Sequence, residues 1–258
     1  MEKSGILRRR VAATWFCVAF AFVVAGCGTP KVEPLIFDAA PWQAGEQSIF
    51  TIIDRDGKPS GQLEFALSSG ENDQGEPLWV IDRTVTAEGN QESVTVKFDE
   101  KGFRPRSSYL ERTDPNGVES VDALYSGGQV DLTLNTKQNV MTVQRAQIPS
   151  DARETVTMPM LVRALPLARD YATQINAYLP LANQLERITV RVAGEETVDT
   201  PIGAITSWLV VLDSGDAQSK AWVAQDAPHQ LLKYEEGRTK TRFELQNYQP
   251  GSPDVSAP

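Results

Sequence analysis

The chain has 258 residues, with 25 Lys and Arg against 34 Asp and Glu, a formal charge of −9 and a single histidine. That acidic balance excludes nucleic acid as a partner, because phosphate binding needs a basic footprint, and it excludes docking on anionic lipid through charge. Of the two cysteines, Cys17 lies inside an apolar stretch that should leave the mature chain, so no internal disulfide is expected and the core must hold itself together.

The first ten residues, MEKSGILRRR, carry four basic groups. Fourteen uncharged residues follow, Val11 to Val24, and then Ala25, Gly26 and Cys27. A basic head, an apolar stretch too short to span a bilayer and a small-residue boundary make a secretory leader over residues 1–26. Val24-Ala25-Gly26-Cys27 resembles the lipobox of bacterial lipoproteins. The resemblance implies lipidation of Cys27, cleavage before it and attachment to a membrane by acyl chains. The expected location is the cell envelope, outside the cytoplasm. Gly28 in place of Asp permits the outer membrane if the organism has one; otherwise the site is the outer face of the cell membrane. Residues 27–41, with three prolines, read as the lipidated N terminus and a tether. An irregular first edge of the folded body from Leu35 onward is the other reading.

From Trp42 the pattern is one of strands. Residues 47–54 are rich in β-branched and aromatic side chains, and the cluster DRDGKPSG turns the chain. Leu63, Phe65 and Leu67 then alternate with polar neighbours, as do Val94, Val96 and Phe98. Residues 77–86 form another strand. Residues 103–112 pair with 118–126 across TDPNG, a strong hairpin turn. Residues 129–136 and 139–147 continue the rhythm. Residues 153–170 break it: Met158, Met160, Leu161 and Leu165 predict a short helix over 158–165, ended by Pro166. Alternation resumes over 171–180, 187–198, 204–213, 218–226, 229–237 and 240–248, and residues 249–258 read as a disordered tail. Strands every 8–12 residues predict a mainly β domain over 42–248, a curved antiparallel sheet or open β-barrel with one short covering helix. The strand-rich blocks before and after the helix read as two halves of one sheet.

Met158, Met160, Leu161, Leu165 and Leu167 are the candidate ligand-binding residues. Methionine adapts to irregular apolar ligands, and a helix laid over a barrel mouth covers the usual ligand position. The alternative is that this helix plugs the sheet and completes the core. No catalytic residue, metal site or cofactor is expected. His229 has no nucleophile set to use it, a lone histidine builds no zinc site, and DRDG lacks the further ligands of a calcium loop, which leaves a hairpin turn.

The stretch EETVDTPIGAITSWLVVL (195–212) and KAWVAQDAPHQLLKYEEG (220–237) resembles the ending of a bacterial envelope family, domain-of-unknown-function family 3108. Thr197, Pro201, Gly203, Trp208, Trp222, Pro228, His229, Lys233 and Tyr234 carry the likeness, with LVRALPLA (161–168) and Trp42-x-x-Gly45-Glu46 in support. Ala204-Ile205 depart from it where the family has Phe. The resemblance implies a β envelope protein, by analogy like the open barrels of lipoprotein-localisation carriers, and brings no catalytic residues. Locally, Pro201 and Gly203 make a tight turn, and Lys233 is expected to pair with Glu235 across one strand face. The function expected is non-catalytic binding of a hydrophobic ligand, such as lipid or an acyl chain. A structural or adaptor lipoprotein that meets another envelope protein is the alternative, with a hydrolase a distant third.

Overall fold

Alternation of apolar and polar side chains places every other residue of a strand on one face, and here the apolar faces share one concave surface. In the computed structural model, which describes residues 32–252, a meander of antiparallel strands opens the fold: β1 (Glu46–Ile53), β2 (Pro59–Glu71), β3 (Pro77–Ala87), β4 (Asn90–Asp99), β5 (Pro105–Asp114), β6 (Gly117–Ser126), β7 (Gln129–Asn135) and β8 (Met141–Gln147). The chain then crosses through a two-residue strand, β9 (Arg153–Glu154), and a short helix, α1 (Met158–Leu161), which is flanked by tight 3-10 turns. A second meander follows: β10 (Ala172–Leu179), β11 (Gln184–Thr200), β12 (Gly203–Asp213), β13 (Gln218–Ala224), β14 (Leu231–Glu235) and β15 (Arg242–Gln249).

All fifteen strands form one sheet. The two meanders join at its middle, where β1 pairs with β15 from Gln47↔Gln249 to Ile53↔Arg242. The outer strands are β8 and β9, which do not pair, so the sheet curves without closing. Side chains span the gap instead. Tyr125 meets Tyr178 edge to face at 6.3 Å, Asn183 Nδ2 donates to Gln144 Oε1 at 3.1 Å, and Val121, Val130, Leu132 and Tyr178 form a small apolar cluster there. The two-residue β9 lies parallel to β10, which no alternation pattern could signal at that length.

The registers sort the turns between two ends of the curved sheet. The start of β1, the start of β10 and the 225–230 turn lie at one end, called here the near end. The turns at 54–58, 180–183, 214–217 and 236–241 lie at the far end. The main core fills the sheet towards the near end, where Trp42, Phe50, Phe65, Phe98, Phe103, Met160, Leu161 and Ile175 are buried together. Residues 32–41 lie against this body: Glu33 bridges Thr173 on β10, and Leu35, Phe37 and Ala40 pack on the core. Beyond β15, the Ser252 N–H donates to the Ala44 carbonyl at 2.9 Å. These strands and both apolar clusters lie within the described residues, so a chain that starts at Gly28 retains all of them. Cys27, the expected leader over residues 1–26 and residues 253–258 lie outside the described residues.

Candidate functional site

The helical segment runs lengthwise inside the curve, and its two ends meet different surroundings. At the near end Arg163 is fully buried. Its guanidinium donates from Nη1 to Glu46 Oε1 at 2.6 Å, from Nη2 to Glu46 Oε2 at 3.3 Å and to the Pro228 carbonyl at 3.1 Å, and from Nε to the His229 carbonyl at 2.8 Å. The Trp42 ring lies 5.6 Å from the guanidinium carbon. Tyr248 donates to Glu46 Oε2 at 3.1 Å, and burial together with the Glu46 carboxylate pushes its hydroxyl up to about 12. Three separate stretches of sequence, around Trp42-Glu46, Arg163 and Pro228-His229, thus converge on one buried ion pair that closes the near end. His229 belongs to this closure. Its ring Nδ1 lies 3.2 Å from the Ala224 carbonyl, and its backbone has φ 52°.

At the far end the segment leaves space. A cavity of about 300 Å³ is bounded by Met158 and Pro159 on one side and by inward side chains of five strands on the other: Leu63 and Phe65, Ile188, Leu212, Tyr234 and Phe243. Charged side chains also border it: Arg83 and Glu236 are among the lining residues, and at the mouth Arg238 donates to Glu186 at 2.9 Å and to Asp216 at 3.2 Å. The Thr155 hydroxyl, which faces this cavity, is buried without a hydrogen-bond partner. The chemistry on offer is a largely apolar slot with one unpartnered hydroxyl and charged side chains at its border.

Of the residues expected to bind ligand, Met158 lines this cavity. Met160, Leu161 and Leu165 are buried in the main core, and Leu167 packs half-buried against it. The remaining lining residues carry a sequence signal only in hindsight: Ile188, Leu212, Tyr234 and Phe243 are inward positions close to a far-end turn, whereas Phe65 and Leu231 lie further along their strands. Tyr178, Leu179 and Leu181 divide similarly, since Leu179 lines the cavity while Tyr178 and Leu181 sit at the open gap.

Beside that gap, Glu154 is wholly buried and accepts from the Tyr125 hydroxyl at 2.5 Å. Burial raises its carboxyl to about 7, against the pull of the Tyr125 and Ser108 hydroxyls. Its neighbour Arg153 lies over the Phe37 ring at 5.3 Å, and burial with the nearby Arg104 charge lowers its guanidinium to about 10.

On the outer face, Thr197, Pro201, Trp222 and Lys233 line a second, polar groove beneath the β11–β12 arm. Trp222 Nε1 donates to Glu196 at 2.6 Å, and Lys233 Nζ sits 4.8 Å from the Trp222 ring centre. The expected pairing of Lys233 with Glu235 is corrected: Lys233 reaches across the strands to Glu244 at 3.8 Å, because the β14–β15 register sets those two residues opposite each other. The DRDG stretch is a turn in which Asp54 Oδ1 accepts from the N–H groups of Asp56 and Lys58. Among the described residues, no group of three or more His, Cys, Asp or Glu side chains is gathered as metal ligands.

An open, barrel-like β sheet around a lengthwise helical segment defines the class. Residues 50–243 match the family described as protein of unknown function, DUF3108, and the chain belongs to that family. No curated protein matches the chain. Among solved structures, a β-barrel-like protein of the domain of unknown function DUF1849 from Brucella abortus is similar over 82% of this chain and 99% of its own, at 10% identity and a TM-score of 0.50, a likeness of fold alone. A structure described as a "putative lipoprotein" from Parabacteroides distasonis covers 83% of this chain and 100% of its own at 11% identity, but its TM-score is 0.29. A "putative exported protein with YmcC-like fold" from Bacteroides fragilis covers 83% and 99% at 14% identity with a TM-score of 0.30. At those two scores the likeness carries no argument.

Proposed function

We propose that this chain is a non-catalytic, lipid-anchored envelope protein that holds the hydrocarbon part of one amphiphile in the far-end cavity. The observation that carries the reading is the apolar slot between Met158 and the inward side chains Leu63, Phe65, Ile188, Leu212 and Phe243. At about 30 Å³ per water-sized unit, a volume of about 300 Å³ takes about ten non-hydrogen atoms. That suits a single acyl chain and is far too small for a lipid with two or three. Ten buried methylenes, at about 0.8 kcal/mol each, give an upper bound of about 8 kcal/mol. Before the cost of immobilising the ligand, that corresponds to a Kd of about 1 μM. The test is displacement of an environment-sensitive fluorescent fatty acid from the chain that starts at Gly28. Binding at micromolar concentration, abolished by Leu212→Trp, supports the reading. An unchanged affinity in Leu212→Trp sinks it.

The anchor is part of the same proposal. Cys27 follows an apolar leader and a small-residue pair, and two or more acyl chains on one residue would hold durably where one holds marginally. Radiolabelled palmitate should enter the wild type and not Cys27→Ser. Label that enters both places the lipid elsewhere.

One observation favours the adaptor reading. Val140, Met141 and Val143, at the unpaired β8 edge, are 56%, 67% and 70% exposed, and an exposed edge strand with apolar side chains is a template for pairing. Cross-linking from position 143 to another envelope protein, together with an empty cavity, would favour it over ligand binding.

A further inference from the structure

Charged side chains rarely line the concave face of a curved sheet, yet this sheet carries a row of them beside the cavity. Inward positions on β3 to β6 are fixed by alternation: Ile81, Val94, Val96, Leu110 and Val121 point into the body. Two residues along from these, towards the far end, stand Arg83, Glu92, Arg112 and Glu119. Glu92 is directly opposite Arg112, and Arg112 directly opposite Glu119. Arg83 Nη1 donates to Glu92 Oε1 at 2.6 Å. Arg112 donates from Nη2 to Glu92 Oε2 at 2.6 Å and from Nη1 to Glu119 at 3.2 Å. Lys137 and Asp114 add one more pair at the rim.

The row adjoins the apolar slot. Arg83 lines that slot, while Glu92 and Arg112 line a separate hollow of about 390 Å³ with Val85, Ala87 and Asp114. The Arg83–Glu92 pair, with one partner lining each hollow, therefore joins the row to the slot. The side chains are half-buried, with Arg112 40% and Glu119 28% exposed, so the Arg112–Glu119 end of the row is within reach of a solute. Signs alternate from β3 to β6, and with the rim pair the group holds three positive and three negative side chains. Neighbouring strands lie about 4.8 Å apart.

We infer that this row seats the head group of the amphiphile whose chain fills the slot, and that it selects a zwitterionic single-chain amphiphile over an anionic or a cationic one. The inference rests on the acyl-chain reading above. A head whose phosphate and amine are two carbons apart presents both signs at close range, as Arg112 and Glu119 do. A lone carboxylate or a lone ammonium meets one matching and one opposing partner within the same row, and like-charge contacts in a partly dry site count heavily against it. An ion ladder serving stability alone would not need to face inward beside an apolar slot, because on the outer face it would avoid desolvation.

The experiment uses the chain from Gly28 and three probes with the same twelve-carbon chain, below their micelle concentrations: dodecylphosphocholine, dodecanoate and dodecyltrimethylammonium. Titration calorimetry at two salt concentrations should show dodecylphosphocholine binding about tenfold more tightly than either, with the preference surviving added salt. Glu119→Gln, which leaves the row one positive charge in excess, should shift the preference towards dodecanoate. Arg112→Gln should shift it towards dodecyltrimethylammonium. Equal affinity for all three heads in the wild type overturns the head-group inference and leaves the acyl-chain reading standing. No binding of any probe overturns both.

Discussion

Replacing Glu46 by Gln removes one charge from the best-buried ion pair among the described residues while keeping the shape and one acceptor of the side chain. Arg163 has no exposed side-chain surface and Glu46 has 1%. The guanidinium would keep the Pro228 and His229 carbonyls as acceptors and lose its only carboxylate contact among the described residues. Breaking a buried pair by removing one partner costs about 3–5 kcal/mol, because the other charge is left uncompensated. Against a typical domain stability of about 5–15 kcal/mol, that is about a fifth or more of the total. Urea unfolding followed by tryptophan fluorescence should show a lower midpoint at unchanged slope, which marks a loss of stability rather than a change in the unfolded state. The double variant Glu46→Gln, Arg163→Met should cost less than the two single losses combined, since it leaves no orphan charge. A loss below about 1 kcal/mol for Glu46→Gln, the range of an exposed pair, would refute the reasoning that this node clamps the near end.

Three further expectations follow from the same geometry. Glu154 has a folded-state pKa of about 7, above its ordinary 4.5; its stabilising neutral form is therefore present in full below about pH 4.5 and lost as pH rises through 7. Glu154→Gln should be more stable than the wild type at pH 8, by up to about 3 kcal/mol, with the gap closing towards pH 4.5 in urea titrations; a pH-independent gap contradicts it. A Cβ on Gly61 would lie 2.2 Å from the Thr86 carbonyl oxygen, whereas one on Gly57, at φ +82°, would meet nothing within 4 Å. Gly61→Ala should therefore cost more in thermal melts than Gly57→Ala, about 1–3 kcal/mol for overpacking against about 1 kcal/mol for the left-handed backbone. Tyr248→Phe, which removes one donor from the Glu46 carboxylate, should cost about 1 kcal/mol, well short of Glu46→Gln in the same unfolding assay.

The strands were legible because each has one buried face. The alternation at Leu63, Phe65 and Leu67, or at Val94, Val96 and Phe98, is a direct record of which side meets the core. The short helix was legible from its apolar cluster and from Pro166, although its regular part is shorter than 158–165 and continues as a tight turn over Val162–Ala164. Pairing between distant strands was less accessible. Nothing local in β1 or β15 says that they join the two meanders, and β9 is too short to have a period. The site was least legible. The five apolar residues expected to bind ligand share one segment, but a segment that passes through the interior meets core at one end and open space at the other. Only the registers of β11 to β15 decide which of its residues face the cavity. The ion row was missed for a related reason. Arg83, Glu92, Arg112 and Glu119 sit on inward positions of four strands, and a charge at an inward position looks in sequence like any other surface charge until the neighbouring strands are in place.

The central claim, that the far-end cavity holds one hydrocarbon chain, is tested most directly by native mass spectrometry of the chain from Gly28, purified from cells without detergent. The account predicts a bound species with the mass of a single-chain amphiphile, released at raised collision energy and absent from Ile188→Trp, whose indole would occupy the slot. A wild type that flies only at its own mass, or an adduct retained in full by Ile188→Trp, would contradict it.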